Sequence, residues 1–155
     1  MDSFQKFYNR ALRFLAFRPR SEYEITLFLK KKKAEDKVIE KIVERLREHN
    51  FINDEEFVVW WIDQRTRVRP KGLVVISQEL RQKGIDQKTI AHFLSRKETK
   101  ELGREGAKKL ATKHYAKYAS LPKKEMYQKV SQILLRRGFT WDTIKQTIDE
   151  ITKKE

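Results

Sequence analysis

Four cations crowd into seven residues at Arg65, Arg67, Arg69 and Lys71, around Pro70 and just after the pair Trp60 and Trp61. Guanidinium groups at a chain reversal fan outward as planar forks of donors, the geometry that grips phosphate or carboxylate in bidentate fashion. Chemistry of the bond-breaking kind finds less support. His49, His92 and His114 stand 22 or more residues apart, without metal-ligand spacing, and no glycine-rich phosphate loop or nucleophile elbow occurs. The pair Glu55 and Glu56 falls at a helix start, where carboxylates meet the positive end of the dipole and need no further role. No enzyme, no metal and no cofactor is expected.

The other basic residues sort by whether acids lie beside them in the chain. Lys37, Lys41 and Arg45 have Glu40, Glu44 and Glu48 three residues on, a self-paired solvated face. Three windows hold no carboxylate: Lys6, Arg10, Arg13, Arg18 and Arg20 between Asp2 and Glu22; Arg65 to Lys71 between Asp63 and Glu79; and Lys108 to Lys124, with six lysines, between Glu105 and Glu125. Lys6, Arg10 and Arg13, like Lys109, Lys113 and Lys117, recur at helical spacing and form stripes opposite an apolar face. Trp60 lies about 100° around its helix from the face shared by Phe57 and Trp61, which marks it as a surface anchor and Trp61 as core. The candidate binding residues are therefore Arg65, Arg67, Arg69, Lys71, Trp60, Lys6, Arg10, Arg13, Lys109, Lys113 and Lys117. The run Lys30 to Lys33 at a predicted helix end is read as compensation of the dipole.

Composition bounds what can position these residues. The 155 residues carry a net charge of +14, a polyanion-binding balance, and it is spread along the chain: 13 cations against 8 acids in 1–52, 8 against 6 in 53–96, and 15 against 8 in 97–155. Hydrophobic residues make up 39%, too many for a disordered tail, while 37% charged residues suit thin helical modules better than one large core. The absence of cysteine excludes a disulfide scaffold. The longest apolar run, Phe57 to Ile62, is far short of the ~18–20 residues that span a bilayer, and the opening MDSFQKFYNR has no signal-peptide core. A cytoplasmic protein without a membrane partner is expected.

Spacing reveals repetition. Leu29, Leu80 and Leu134 are each followed ten residues later by Ile39, Ile90 and Ile144, and fourteen residues later by Val43, Leu94 and Ile148. Punctuation agrees: Ser21 and Glu24, then Asn53 and Glu56, have capping-box spacing, and Asp36, Asp86 and Thr140 are candidate N-caps. Asn50, Gly84 and Gly138 sit where a left-handed C′ residue would end a helix. Pro70 pushes Arg69 toward extended backbone, so one helix should end near Arg67 and the next begin near Gly72. LVVIS (73–77) is strand-like, but too short and isolated to make a sheet. The expected fold is all α: three tandem three-helix repeats, 1–52, 53–96 and 97–155, forming an elongated, curved rod.

At RPRSEYEITLFL, at the span from LREHNFINDEEF to ELRQKGI, and at LLRRGF, the sequence resembles the RecX family, bacterial regulatory proteins that act on the RecA recombinase. The resemblance runs over nearly the whole chain. Its most specific parts are Arg18 to Glu24, Phe51 to Phe57, and Arg69 to Ile85; Lys33 and Asn50 stand where glycine is common in the family. What it implies is a non-enzymatic modulator of DNA repair and the SOS response, usually an inhibitor, lodged in the helical groove of the RecA–DNA filament; a monomer is expected. There it would hinder filament extension, ATP hydrolysis and strand exchange, with single- or double-stranded DNA as a further partner. The alternative is a freestanding helix-turn-helix-like DNA-binding protein reading the major groove with TIAHFLSRK (89–97).

Overall fold

The computed structural model describes residues 2–153, and among them the chain forms nine α-helices and no strand. The first three are α1 (Ser3–Phe17), α2 (Glu22–Lys31) and α3 (Asp36–Glu48); then come α4 (Asp54–Arg67), α5 (Leu73–Gln82) and α6 (Gln87–Leu94); then α7 (Lys97–Lys117), α8 (Lys123–Arg136) and α9 (Trp141–Thr152). Boundaries follow the punctuation. Ser21 and Glu24 close a full capping box, and Asn53, Asp86 and Thr140 accept from the backbone N–H three residues on. α4 stops at Arg67 and α5 begins after Gly72, so the strand-like LVVIS is the first half of a helix. One expected cap shifts: Glu35 holds the N-cap of α3, without a side-chain bond, and Asp36 is the first helical residue, where its charge still meets the dipole.

Each helix triplet closes over its own core. Ile25, Leu29, Ile42 and Leu46 are fully buried in the first, Phe57, Val58, Ile76, Leu80 and Ile90 in the second, and Val130, Leu134, Ile144 and Ile148 in the third. Burying each such side chain stabilises by roughly 1.5–3 kcal/mol, so the repeated Leu and Ile positions are the ones that hold each unit together. Trp61 belongs to the second core, stacked 5.7 Å from Phe57.

The second helix of every unit ends in a left-handed residue: Lys33 at φ 66°, Gly84 at 79°, Gly138 at 92°. Two of these turns receive the preceding unit. The N-cap of α2, Ser21, donates its hydroxyl to the Lys83 carbonyl at 2.7 Å, and Tyr23 lies where a Cβ on Gly84 would be. One unit later, Gly72 N–H donates to the Arg137 carbonyl at 2.7 Å, and Gly72 and Val75 crowd Gly138 in the same way. Lys33 takes up no neighbour of this kind and can carry a side chain. Asn50, at φ 57°, ends α3 in the same left-handed conformation.

Candidate basic interface

The cations around Pro70 are built by two helix ends, the C-terminus of α4 and the N-terminus of α5. α5 also brings an acid that the local sequence window does not contain. Glu79 lies 2.9 Å from Arg65 Nη2 and 3.5 Å from Lys71 Nζ, and accepts from Trp61 Nε1 at 3.3 Å. Arg65 is further spread over the Trp61 ring, 4.7 Å from its centre. Arg67 pairs with Asp63 one turn back, which raises its pKa through the shared hydrogen bond and charge. Much of this cluster is thus neutralised from within.

Arg69 is the exception. It is exposed, makes no ion pair with any described residue, and lines a cavity of about 290 Å³ with Lys71, Val75, Arg136 and Arg137. Arg136 and Arg137 come from the end of α8, so the cavity straddles the second and third units, and no carboxylate lines it. The Gly72 to Arg137 hydrogen bond holds its two sides in register.

The stripe on α7 reaches the same region. Lys109 donates to the Arg67 carbonyl at 3.4 Å, closing an orphan acceptor at the end of α4. Lys113 and Lys117 are exposed on the following turns. Between them His114 is pushed below its ordinary pKa, first by burial, then by the fields of Lys113, Lys117 and Arg137. Lys6, Arg10 and Arg13 stand apart on α1 in the first unit, with Lys6 and Arg10 about the Phe7 ring at 5.9 and 5.8 Å.

Trp60 is half-buried against Phe57 and Trp61 and opens onto a different cavity, of about 600 Å³, with Val59, Phe93, Arg96 and the acids Glu55, Glu56 and Asp63. Arg18, from the first unit, lies 5.7 Å from both tryptophan rings while it pairs with Glu24. The expected pairs along α3 give way to longer reaches: Arg45 lies over the Phe4 ring at 4.5 Å, and Arg47 pairs with Glu22 at 2.8 Å. Arg136 and Arg137 are the residues that reasoning from windows missed. Their signal was present, since no acid lies between Glu125 and Asp142, but cations there are sparse enough to pass unnoticed.

Models of the three RecX three-helix domains match this chain in order: the first over residues 8–46, the second over 53–94 and the third over 104–148. A crystal structure of regulatory protein RecX superposes with a TM-score of 0.78 at 32% identity, covering 96% of this chain and 72% of that one. The chain belongs to the RecX family. RecX from Lactobacillus salivarius is similar in fold, with a TM-score of 0.84 at 28% identity over 96% of both chains. Regulatory protein RecX of Bacillus subtilis is 37% identical over 150 residues, 97% of this chain. That of Streptococcus uberis is 33% identical over 137 residues. The chain spans about half the length of these curated relatives, 56% and 52% respectively. RecX relatives are regulatory proteins by name, and among the described residues no helix is long and apolar enough to cross a membrane.

Proposed function

We propose that this chain docks on a RecA–DNA filament in the cytoplasm and restrains the recombinase, acting as a monomer through binding and without catalysis. The observation that carries the reading is the ordered match of all three units to the three RecX domains. A series of small helical units bearing separate basic patches suits a long, repeating partner better than a small substrate. The units proposed are 1–52, 53–96 and 97–155, each a three-helix repeat.

The test is titration into RecA on single-stranded DNA while ATP hydrolysis is followed. Hydrolysis should fall as the chain is added, and an unaltered rate at saturation would sink the reading. The freestanding DNA-reader alternative is less well supported. Within TIAHFLSRK, the side chains able to read bases are His92, which packs edge-on against Phe93, and Arg96, which lies over the Phe93 ring and pairs with Glu98.

A further inference from the structure

We infer that the cleft between the second and third units, walled by Arg69, Lys71, Arg136 and Arg137, is a seat for consecutive backbone phosphates of a nucleic-acid strand. The inference deepens the proposed function, and rests on it only for the claim that the strand is the one inside the filament.

Like charges do not gather without a reason. Arg69 and Lys71 come from the α4–α5 turn and Arg136 and Arg137 from the end of α8, and the fold presses the two pairs together around one cavity. Among the described residues Arg69, Arg136 and Arg137 have no carboxylate partner, and Lys71 has a long one, Glu79 at 3.5 Å. Several crowded cations elsewhere are answered from within: Arg65 by Glu79, Arg67 by Asp63, Arg47 by Glu22, Arg18 by Glu24. What sets this cleft apart is that cations from two units share one cavity with no carboxylate in its lining.

α5 begins with no acid in its first turn and no side-chain cap, whereas α2 and α4 begin with two and three acids, so its N-terminal field is left for an anion, while the C-terminal end of α8 offsets part of the charge of Arg136 and Arg137. A single carboxylate from a protein partner would neutralise one of the four charges. A phosphodiester chain delivers a charge at every nucleotide and fits guanidinium forks in bidentate fashion, so it matches a cluster spread over two units. Such contacts position a strand without reading its bases, and sequence indifference is expected.

The experiment measures binding of a fluorescent single-stranded oligonucleotide to the whole chain by anisotropy, without RecA, across a range of salt concentrations. The variant carries R69A, R136A and R137A together; these side chains bond to nothing in the fold, and the Arg137 carbonyl that accepts from Gly72 is retained. Each lost phosphate contact should flatten the slope of log K against log salt by about 0.7, so engagement of two phosphates predicts a change of roughly 1.4 and a loss of affinity of at least tenfold in low salt. The control K30A/K31A/K32A removes the same charge from the end of α2 and should change neither slope nor affinity by a comparable amount. His114, which feels Arg137, gives a local reading: adding the oligonucleotide should move the titration of its imidazole proton resonance to higher pH in the wild-type chain and leave it unmoved in the variant.

Equal losses in variant and control would show diffuse charge alone and overturn the seat. So would wild-type affinity in the variant, or equal binding of poly-glutamate. Lost oligonucleotide binding together with undiminished restraint of RecA hydrolysis supports the seat and counts against its use on the filament, so the two readings fail separately.

Discussion

Ser21 and Gly72 hold the same position in consecutive units, the N-cap of the second helix, and they fasten their units to the next by different means. At the first seam the fastening is made of side chains. The Ser21 hydroxyl bonds the Lys83 carbonyl, Asp54 accepts from the Glu22 N–H at 2.9 Å, and Glu24 gathers Arg18 and Lys83. Asp54 has its carboxyl pushed up by burial, partly offset by that N–H bond.

At the second seam the backbones themselves touch. A Cβ on Gly72 would overlap Gly138 and Phe139 main-chain atoms, one on Gly138 would meet Val75, and Gly106 passes 3.0 Å beneath the Pro70 ring on the same measure. α7 also packs along both α4 and α9. The lesson is that one repeat register can serve two mechanical purposes. Polar side chains hold one seam together, and main chain meeting main chain through glycine holds the other. The close seam is also the one that carries the exposed cations.

The largest effect belongs to Trp61, which supports the first seam from within the second core: Trp61→Ala should destabilise by about 3–5 kcal/mol in urea unfolding, and an unmoved midpoint would remove it from the core. Next, Gly72→Ala should cost about 1–3 kcal/mol because main chain cannot yield as a flexible side chain does. Ser21→Ala, at the matching position, should cost about 1–2 kcal/mol, since the N-cap bond and the bond to the Lys83 carbonyl are lost together. If the two cost the same, the seams do not differ as described.

Smaller still, Lys33→Gly should raise the melting temperature slightly, because a left-handed residue with nothing packed on it gains from losing its Cβ. Gly84→Lys, the same exchange reversed at an occupied turn, should lower it. The smallest effect is in pH. The folded-state pKa of His114 lies below its ordinary 6.5, so the neutral ring's contribution is complete above that value and is lost as pH falls through it toward the folded pKa. His114→Gln should flatten the melting temperature between pH 7 and 5, and an unchanged slope would show that the ring is not held neutral.

Local sequence determined the helices and their ends. Ser21, Asn53, Asp86 and Thr140 act on N–H groups three residues away, and Asn50, Gly84 and Gly138 need only their own backbone freedom, so their roles are legible in a short window. The Leu and Ile spacing of each core is legible for the same reason, since a helix turns a linear interval into a face. Charge compensation obeys a different rule. Coulomb attraction depends on distance in space, and a window free of acids along the chain is not free of them once helices pack.

Tertiary structure therefore decided which cations are spent and which are free. It brought Glu79 onto Arg65 and Lys71, tied Lys109 to the end of α4, left Lys6, Arg10 and Arg13 in another unit, and joined Arg69 to Arg136 and Arg137 across more than sixty residues of chain. It also decided why glycine is required at Gly84 and Gly138 and dispensable at Lys33: two of the turns are covered by a neighbouring unit, and one faces outward.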